Sequence, residues 1–209
     1  GKSTLLMLLT GLLFPGSGEV LVGDVRVTKK TLPMIRQRLG MVFQDPDDQL
    51  FMTTVYDDVA FGPRNYGLDE KEVGERVMKA LDMVGIPHLK DRAPYKLSGG
   101  EKRAASIATV LSMQPDILIM DEPTAGLDPK SRRKVIELLK SFEHTKIIAS
   151  HDLDMVLETC KRVMVIRDGQ VAADGEALKL LTDAKLLDSC GLELPLSVQG
   201  CPVCSNHIG

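Results

Sequence analysis

At 209 residues the chain is long enough for one domain with a sizeable core, plus a small appendage. A formal charge of −3, no Trp and few aromatics argue against a nucleic-acid binder, which needs a basic surface or stacking platforms. The longest apolar run, Leu5 to Phe14, is broken by Thr10 and Gly11 and is too short to span a bilayer. No secretory leader precedes it, so the expected location is cytoplasmic, with any membrane contact made through a partner.

The chain opens Gly1-Lys2-Ser3-Thr4, the second half of a phosphate loop G-x-x-x-x-G-K-[ST]. Alone, this tetrapeptide is equally a chance helix start. Leu5 to Leu13 reads as a buried helix ended near Pro15-Gly16-Ser17-Gly18. Glu19 to Val27 alternates as a half-exposed strand, with Gly23-Asp24 as its turn or bulge. Lys29, Lys30, Arg36 and Arg38 form a solvated basic face. Gly40 to Gln44 reads as a short buried strand ending in a polar residue, by itself a surface glutamine. Asp69 to Val84 is amphipathic, with Val73, Val77, Ala80, Leu81 and Val84 at helical spacing, and Gly85-Ile86-Pro87 ends it. Tyr95 reads as packing.

Ser98 with Glu101 three residues on is a capping box, and most capping boxes only start helices. The intervening pair Gly99-Gly100 costs about 1 kcal/mol per residue relative to alanine. What it offers in return is bare backbone N–H groups at a helix N-terminus, a ready anion site to which Ser98 can add its hydroxyl. Ile117 to Met120 is a short apolar strand, and Asp121-Glu122 follow at its carboxyl end. Open α/β sheets place ligands there. Two carboxylates suit a divided task, one holding a hydrated Mg²⁺ and the other polarising a water. Asp128 with Pro129 is an N-cap followed by a proline at the first helical position. Lys146 to Ser150 reads as a further buried strand, with His151 after it. Arg162–Arg167 and Gln170–Ala173 read as a hairpin around Asp168-Gly169, and Glu176–Leu187 as a helix. The tail carries Cys190, Cys201, Cys204 and His207. Incidental reduced cysteines are the default there, and a metal site is the alternative.

The stretch LSGGEKRAASIATVLSMQPDILIMDEPTAGLD, Leu97 to Asp128, resembles the signature motif, Walker B and D-loop of an ATP-binding cassette (ABC) ATPase. The resemblance covers residues 1–187 and leaves 188–209 as a tail with its CxxC. It implies an α/β P-loop NTPase with a RecA-like core and an inserted ABC helical subdomain, about residues 65–112. It also implies a chain truncated within the Walker A motif, with strands, the first loop glycine and an adenine-stacking aromatic expected upstream. Gly1, Lys2, Ser3 and Thr4 then bind ATP, with Lys2 on the β- and γ-phosphates and Thr4 near the α-phosphate. Ser3, Gln44 and Asp121 hold Mg²⁺, and Glu122 is the general base or water-orienting carboxylate. Gln44 is the Q-loop glutamine and His151 the switch histidine at the γ-phosphate. Ser98, Gly99, Gly100 and Asp128 meet the ATP of a second ABC ATPase subunit, paired head to tail as a homo- or heterodimer.

FQDPDDQL from Phe43, DDVAFGP from Asp57 and NYGL from Asn65 resemble the cobalt/energy-coupling-factor branch of importers. That branch implies uptake of cobalt, nickel or a vitamin. The partners implied are a transmembrane coupling subunit and a membrane substrate-binding subunit, with no nucleic acid. The ATPase is expected at the cytoplasmic face of the membrane, peripheral through those subunits. The rival reading is a soluble, non-transport ABC ATPase working on DNA or the ribosome. The long coiled coils or second cassette usual in such chains do not appear here.

Overall fold

The computed structural model describes residues 1–199. Of the cysteine and histidine tail pattern, Cys201, Cys204 and His207 lie outside the described residues, and Cys190 is a half-buried free thiol. The chain divides into two compact units, Ser3–Ala149 and the residues from Ser150 onward together with Gly1–Lys2.

The larger unit is built on three parallel strands, β3 (Leu39–Val42), β4 (Ile117–Asp121) and β5 (Thr145–Ala149), with β4 in the centre. The register pairs Leu39 with Ile117 and Asp121 with Ala149. Central parallel strands are covered on both faces and therefore read as continuous apolar runs. Leu118, Ile119 and Met120 are accordingly all buried.

Under one face lie α1 (Lys2–Leu9), the hairpin of β1 (Leu21–Val22) and β2 (Val25–Arg26), and α2 (Leu32–Arg38). Their core is Leu6, Val22, Val27, Ile35, Leu39, Ile119 and Ala149. Helix α1 stops earlier than its apolar run suggests. Gly11 adopts φ +65°, its N–H donates to the Leu8 carbonyl, and Leu12 N–H reaches back to Met7. This is a Schellman ending, and it tolerates only a residue at ease with positive φ. Of the two options at Gly23-Asp24, a turn or a bulge, the chain takes the turn, since Gly23 at φ +60° folds 19–27 back into a hairpin. The expected strand 40–44 ends at Val42, and Phe43-Gln44 already belong to a loop.

Helices α3 (Val55–Asn65), α4 (Glu70–Met83) and α5 (Gly99–Leu111) pack against one another as a cluster. Asp69 caps α4 by accepting the Glu72 N–H, and Val73, Val77, Ala80 and Leu81 form its buried stripe. Gly40 lets α5 lie close on β3, since a Cβ there would stand 2.3 Å from Val110. After β4, α6 (Pro129–Ser141) leads to β5.

The smaller unit contains α7 (Leu153–Thr159), the antiparallel hairpin of β6 (Arg162–Arg167) and β7 (Gln170–Glu176), α8 (Ala177–Leu181) and α9 (Ala184–Ser189). Asp168 and Gly169, at φ +50° and +77°, make the primed turn that suits a twisted hairpin. The single helix expected over 176–187 is two. Thr182 folds its hydroxyl back onto the Leu178 carbonyl, and Asp183 caps a new helix through the Lys185 and Leu186 N–H groups. Among the described residues, no helix is long and apolar enough to cross a membrane.

Candidate functional site

Two adjacent carboxylates, Asp121 and Glu122, stand at the carboxyl end of β4. Asp121 is the last residue of the parallel ladder and is 5% exposed. Its Oδ1 is buried without a hydrogen-bond partner among the described residues. A buried carboxylate oxygen lacking a donor is the kind of atom that a bound cation or ordered water satisfies. No trio of His, Cys, Asp or Glu among the described residues forms an all-protein metal cage. Mg²⁺ needs none, because it takes one or two carboxylates and fills its shell with water and phosphate.

Glu122 follows immediately, also buried, with φ +46°. A left-handed backbone costs a non-glycine residue on the order of 1–2 kcal/mol. Here it is held at both ends, with its N–H donating to the Ala149 carbonyl at 2.8 Å and its carbonyl accepting from Ala125 N–H at 3.1 Å. Strain retained by such fixing clusters at active sites. The reversal also takes Glu122 out of the ladder, so two adjacent carboxylates occupy distinct settings. That is what one carboxylate for a cation and one for a water requires.

At the N-terminus of α5 the capping box is complete. Ser98 N–H donates to Glu101 Oε2 at 2.8 Å, and Glu101 N–H donates to Ser98 Oγ at 3.4 Å. The Ser98 hydroxyl also donates to the same carboxylate at 2.9 Å, so it is engaged within the cap. The Ser98 N–H and hydroxyl together hold the Glu101 carboxyl below its ordinary pKa. These bonds satisfy the N-cap and the third helical residue, and they leave Gly99 and Gly100 N–H as the open donors of the first turn. The two glycines differ. A Cβ on Gly99 would meet nothing within 4 Å, whereas one on Gly100 would stand 2.2 Å from Ser131 Oγ and 2.8 Å from Ser131 Cβ. Gly100 is therefore explained by packing against α6, whereas among the described residues nothing occupies the space beside Gly99.

Gln44 is exposed on the loop after β3. With Asp45, Gly99, Lys102, Gly126 and Leu127 it borders one cleft of about 530 Å³, so the loop after β3, the α5 N-terminus and the turn after Glu122 come together. Asp128 closes that turn and caps α6, accepting from Lys130 and Ser131 N–H at 3.0 and 3.1 Å. The Ser131 hydroxyl, followed by these N–H groups, lowers the Asp128 carboxyl pKa. Ser3 is half-buried and Thr4 exposed in the first turn of α1. Gly1, Lys2 and His151 belong to the smaller unit, where all three are exposed. His151 stands just ahead of α7, whose cap is Asp152 accepting the Met155 N–H at 3.0 Å.

The family model for ABC transporters matches residues 1–125. An ABC transporter ATP-binding protein of Geobacter sulfurreducens is 61% identical over 204 residues, covering 98% of this chain and 82% of that protein. The chain belongs to the ABC transporter family.

It is the ATP-binding, ATP-hydrolysing subunit of such a transporter, with the P-loop NTPase fold that its motifs imply. The energy-coupling factor transporter ATP-binding protein EcfA of Methanothermobacter thermautotrophicus is 46% identical over 200 residues, 93% of this chain and 64% of that protein. Among solved structures, cbiO1 from Clostridium perfringens, part of the ABC transporter complex cbiONQ, is 42% identical with a TM-score of 0.79. That match covers 90% of this chain and 78% of the other. The ATP-binding cassette MJ0796, a dimer in a post-hydrolysis state bound to ADP and Pi, is 26% identical with a TM-score of 0.76. It covers 85% of this chain and 81% of that one.

Three residues to which the sequence motifs assign no individual role stand out in this ABC ATPase. Arg103 is buried on the packed side of α5, four residues before the apolar Ile107 and seven before Val110. A cation inside an apolar helical stripe was the available signal. Gln49 ties the Q-loop to α5 through Ser106 and Thr109. Asp58, buried in α3, accepts the Phe51 and Met52 N–H groups at 2.9 and 3.0 Å. Tyr95, expected to pack, is 77% exposed, with the Lys96 ammonium 5.7 Å from its ring centre.

Proposed function

We propose that this ABC ATPase energises an importer of the energy-coupling-factor type, taking up a metal ion such as cobalt or nickel, or a vitamin. Kinship to EcfA and cbiO1 supports that branch. The observation that carries the catalytic assignment is the carboxylate pair at the end of β4, with Asp121 carrying a buried, unpartnered oxygen and Glu122 held left-handed.

In this reading Gly1, Lys2, Ser3 and Thr4 hold the phosphates of ATP. Ser3, Gln44 and Asp121 hold Mg²⁺, which neutralises phosphate charge when bound. Glu122 accepts a hydrogen bond from the attacking water and aims its lone pair at the γ-phosphorus, opposite the leaving oxygen. His151 donates to the γ-phosphate. Phosphoryl transfer of this kind depends mainly on positioning and charge stabilisation. A second ATPase subunit supplies Ser98, Gly99, Gly100 and Asp128 from the other side, with the open N–H groups of the first α5 turn as anion donors. Nucleotide binding favours the closed pair and hydrolysis the open one. That difference in affinity between the two states is the condition for doing work on a transmembrane coupling subunit.

The test is affinity purification of the full-length tagged protein from detergent-solubilised membranes, followed by mass spectrometry. A transmembrane coupling subunit with a small substrate-binding membrane protein is the expected result, and the small protein then gives the cargo class. Recovery only from the soluble fraction without membrane proteins would overturn the importer assignment.

A further inference from the structure

Arg103 is 2% exposed and sits in the second turn of α5 without a carboxylate partner among the described residues. Its Nη1 donates to the Phe43 carbonyl at 2.7 Å and its Nη2 to the Gln44 carbonyl, while Nε is buried and unpartnered. Burial lowers its pKa and the nearby Asp45 opposes this; a guanidinium is basic enough to remain charged in a protein. An apolar residue of similar size would fill the same space without desolvating a charge. The planar fork has one use that such a residue lacks, which is to grip two successive carbonyls and fix the peptide planes around Gln44.

Two further tethers lie beside it. Lys102 pairs with Asp47 at 2.6 and 2.9 Å. Gln49 donates to Ser106 O at 2.8 Å and Thr109 Oγ1 at 2.6 Å, and accepts the Phe43 N–H at 3.3 Å. The Q-loop is thereby held at both ends and its middle by α5. Gln44 itself is exposed at the cleft, so its placement comes from its backbone rather than from packing of its side chain.

We propose that Arg103 is the positioning residue for Gln44, holding the Q-loop backbone so that the glutamine meets the Mg²⁺ and water of the hydrolysis site. The proposal rests on the assignment of Gln44 given above. Arg103 touches neither nucleotide nor water and acts only through the loop.

The test is a double-mutant cycle in the full-length protein with its partner subunits, using Arg103→Met, Gln44→Ala and the pair. Readouts are kcat, KM for ATP, and ATP affinity measured with Mg²⁺ and with EDTA. Arg103→Met is expected to lower kcat at least about tenfold, the scale of a small misplacement of a catalytic group. KM for ATP and affinity in EDTA stay within about twofold, and the Mg²⁺-dependent gain in affinity shrinks. In the Gln44→Ala background the same change adds less than about twofold, because residues acting as a unit are not additive. If Arg103→Met does not fold, Arg103→Lys carries the same cycle, since its ammonium keeps the charge but not the two-carbonyl fork. A smaller loss of about threefold is then expected, again absent in the Gln44→Ala background. Independent, multiplying losses would overturn the role of Arg103 while leaving Gln44 in place. A Gln44→Ala protein with normal kcat and normal Mg²⁺ dependence would remove both.

Discussion

Gly99 and Gly100 stand side by side in the first turn of α5, yet alanine is expected to act on them in opposite directions. At Gly99 a methyl group enters open space, and alanine is better than glycine in a helix by roughly 0.5–1 kcal/mol. For a chain of this size that raises Tm by about 1–4 °C. At Gly100 the methyl would lie 2.2 Å from Ser131 Oγ and 2.8 Å from Ser131 Cβ. Overpacking of that kind costs about 1–3 kcal/mol, because the first turns of α5 and α6 must move apart. The expected drop in Tm is about 2–12 °C. Thermal unfolding followed by far-UV circular dichroism reads both, which is convenient since the chain has no Trp. Replacing Ser131 by Ala removes the nearer of the two contacts, so Gly100→Ala combined with Ser131→Ala should recover part of the loss. ATPase turnover is the second readout. Gly99→Ala should lower it at least about tenfold despite the gain in stability, because the methyl crowds the open N–H donors. A destabilised Gly99→Ala, or a Gly100→Ala as stable as the parent, would refute the packing argument. Normal turnover in Gly99→Ala would refute the anion-donor role.

Glu122→Gln should retain ATP binding and lower turnover by at least about 10²-fold, the scale of one lost proton-handling group; near-normal steady-state hydrolysis would sink the assignment. Asp121→Asn should raise the Mg²⁺ concentration needed for half-maximal turnover by about 10–100-fold with ATP affinity in EDTA unchanged, and an unchanged Mg²⁺ curve would remove Asp121 from the metal site. Asp58 tests electrostatics away from the chemistry. Burial raises its pKa above the ordinary 3.8, against the lowering effect of the Phe51 and Met52 N–H groups. The folded state therefore binds its proton more tightly than the unfolded chain, and the group costs stability as pH rises from about 3.8 through the raised value. Compared with Asp58→Asn, the parent protein should gain stability as pH is lowered through that window. Tm series on both proteins check it, and a constant difference would show that the shift is absent.

Much of the local structure around the candidate site is legible in the sequence because it depends on short-range rules. The pattern Ser98-Gly99-Gly100-Glu101 specifies its own capping box, and Asp128-Pro129 specifies its own helix start. Ile117 to Met120 reads as a short buried strand because it is apolar throughout, and Asp121-Glu122 are placed at its end by chain order alone. Asp69 to Val84 carries its apolar stripe and its terminating glycine within one window. Where local signals conflict, the pattern alone does not decide. Gly23-Asp24 leaves a turn and a bulge both open on local grounds, and a helical pattern over 176–187 conceals the Thr182-Asp183 break.

The rest depends on residues distant in sequence. Only packing distinguishes Gly99 from Gly100, because Ser131 of another helix fills the space beside one and not the other. The meeting of β4 with β5 supplies one of the two holds on the left-handed Glu122, since the carbonyl that accepts its N–H belongs to Ala149. The grip of Arg103 on the Phe43 and Gln44 carbonyls spans about sixty residues and follows no periodicity. Hydrophobic patterning and capping act over a turn or two and can be read from the chain. The placement of a buried guanidinium or a strained carboxylate is decided by which backbone groups the fold brings within hydrogen-bond reach.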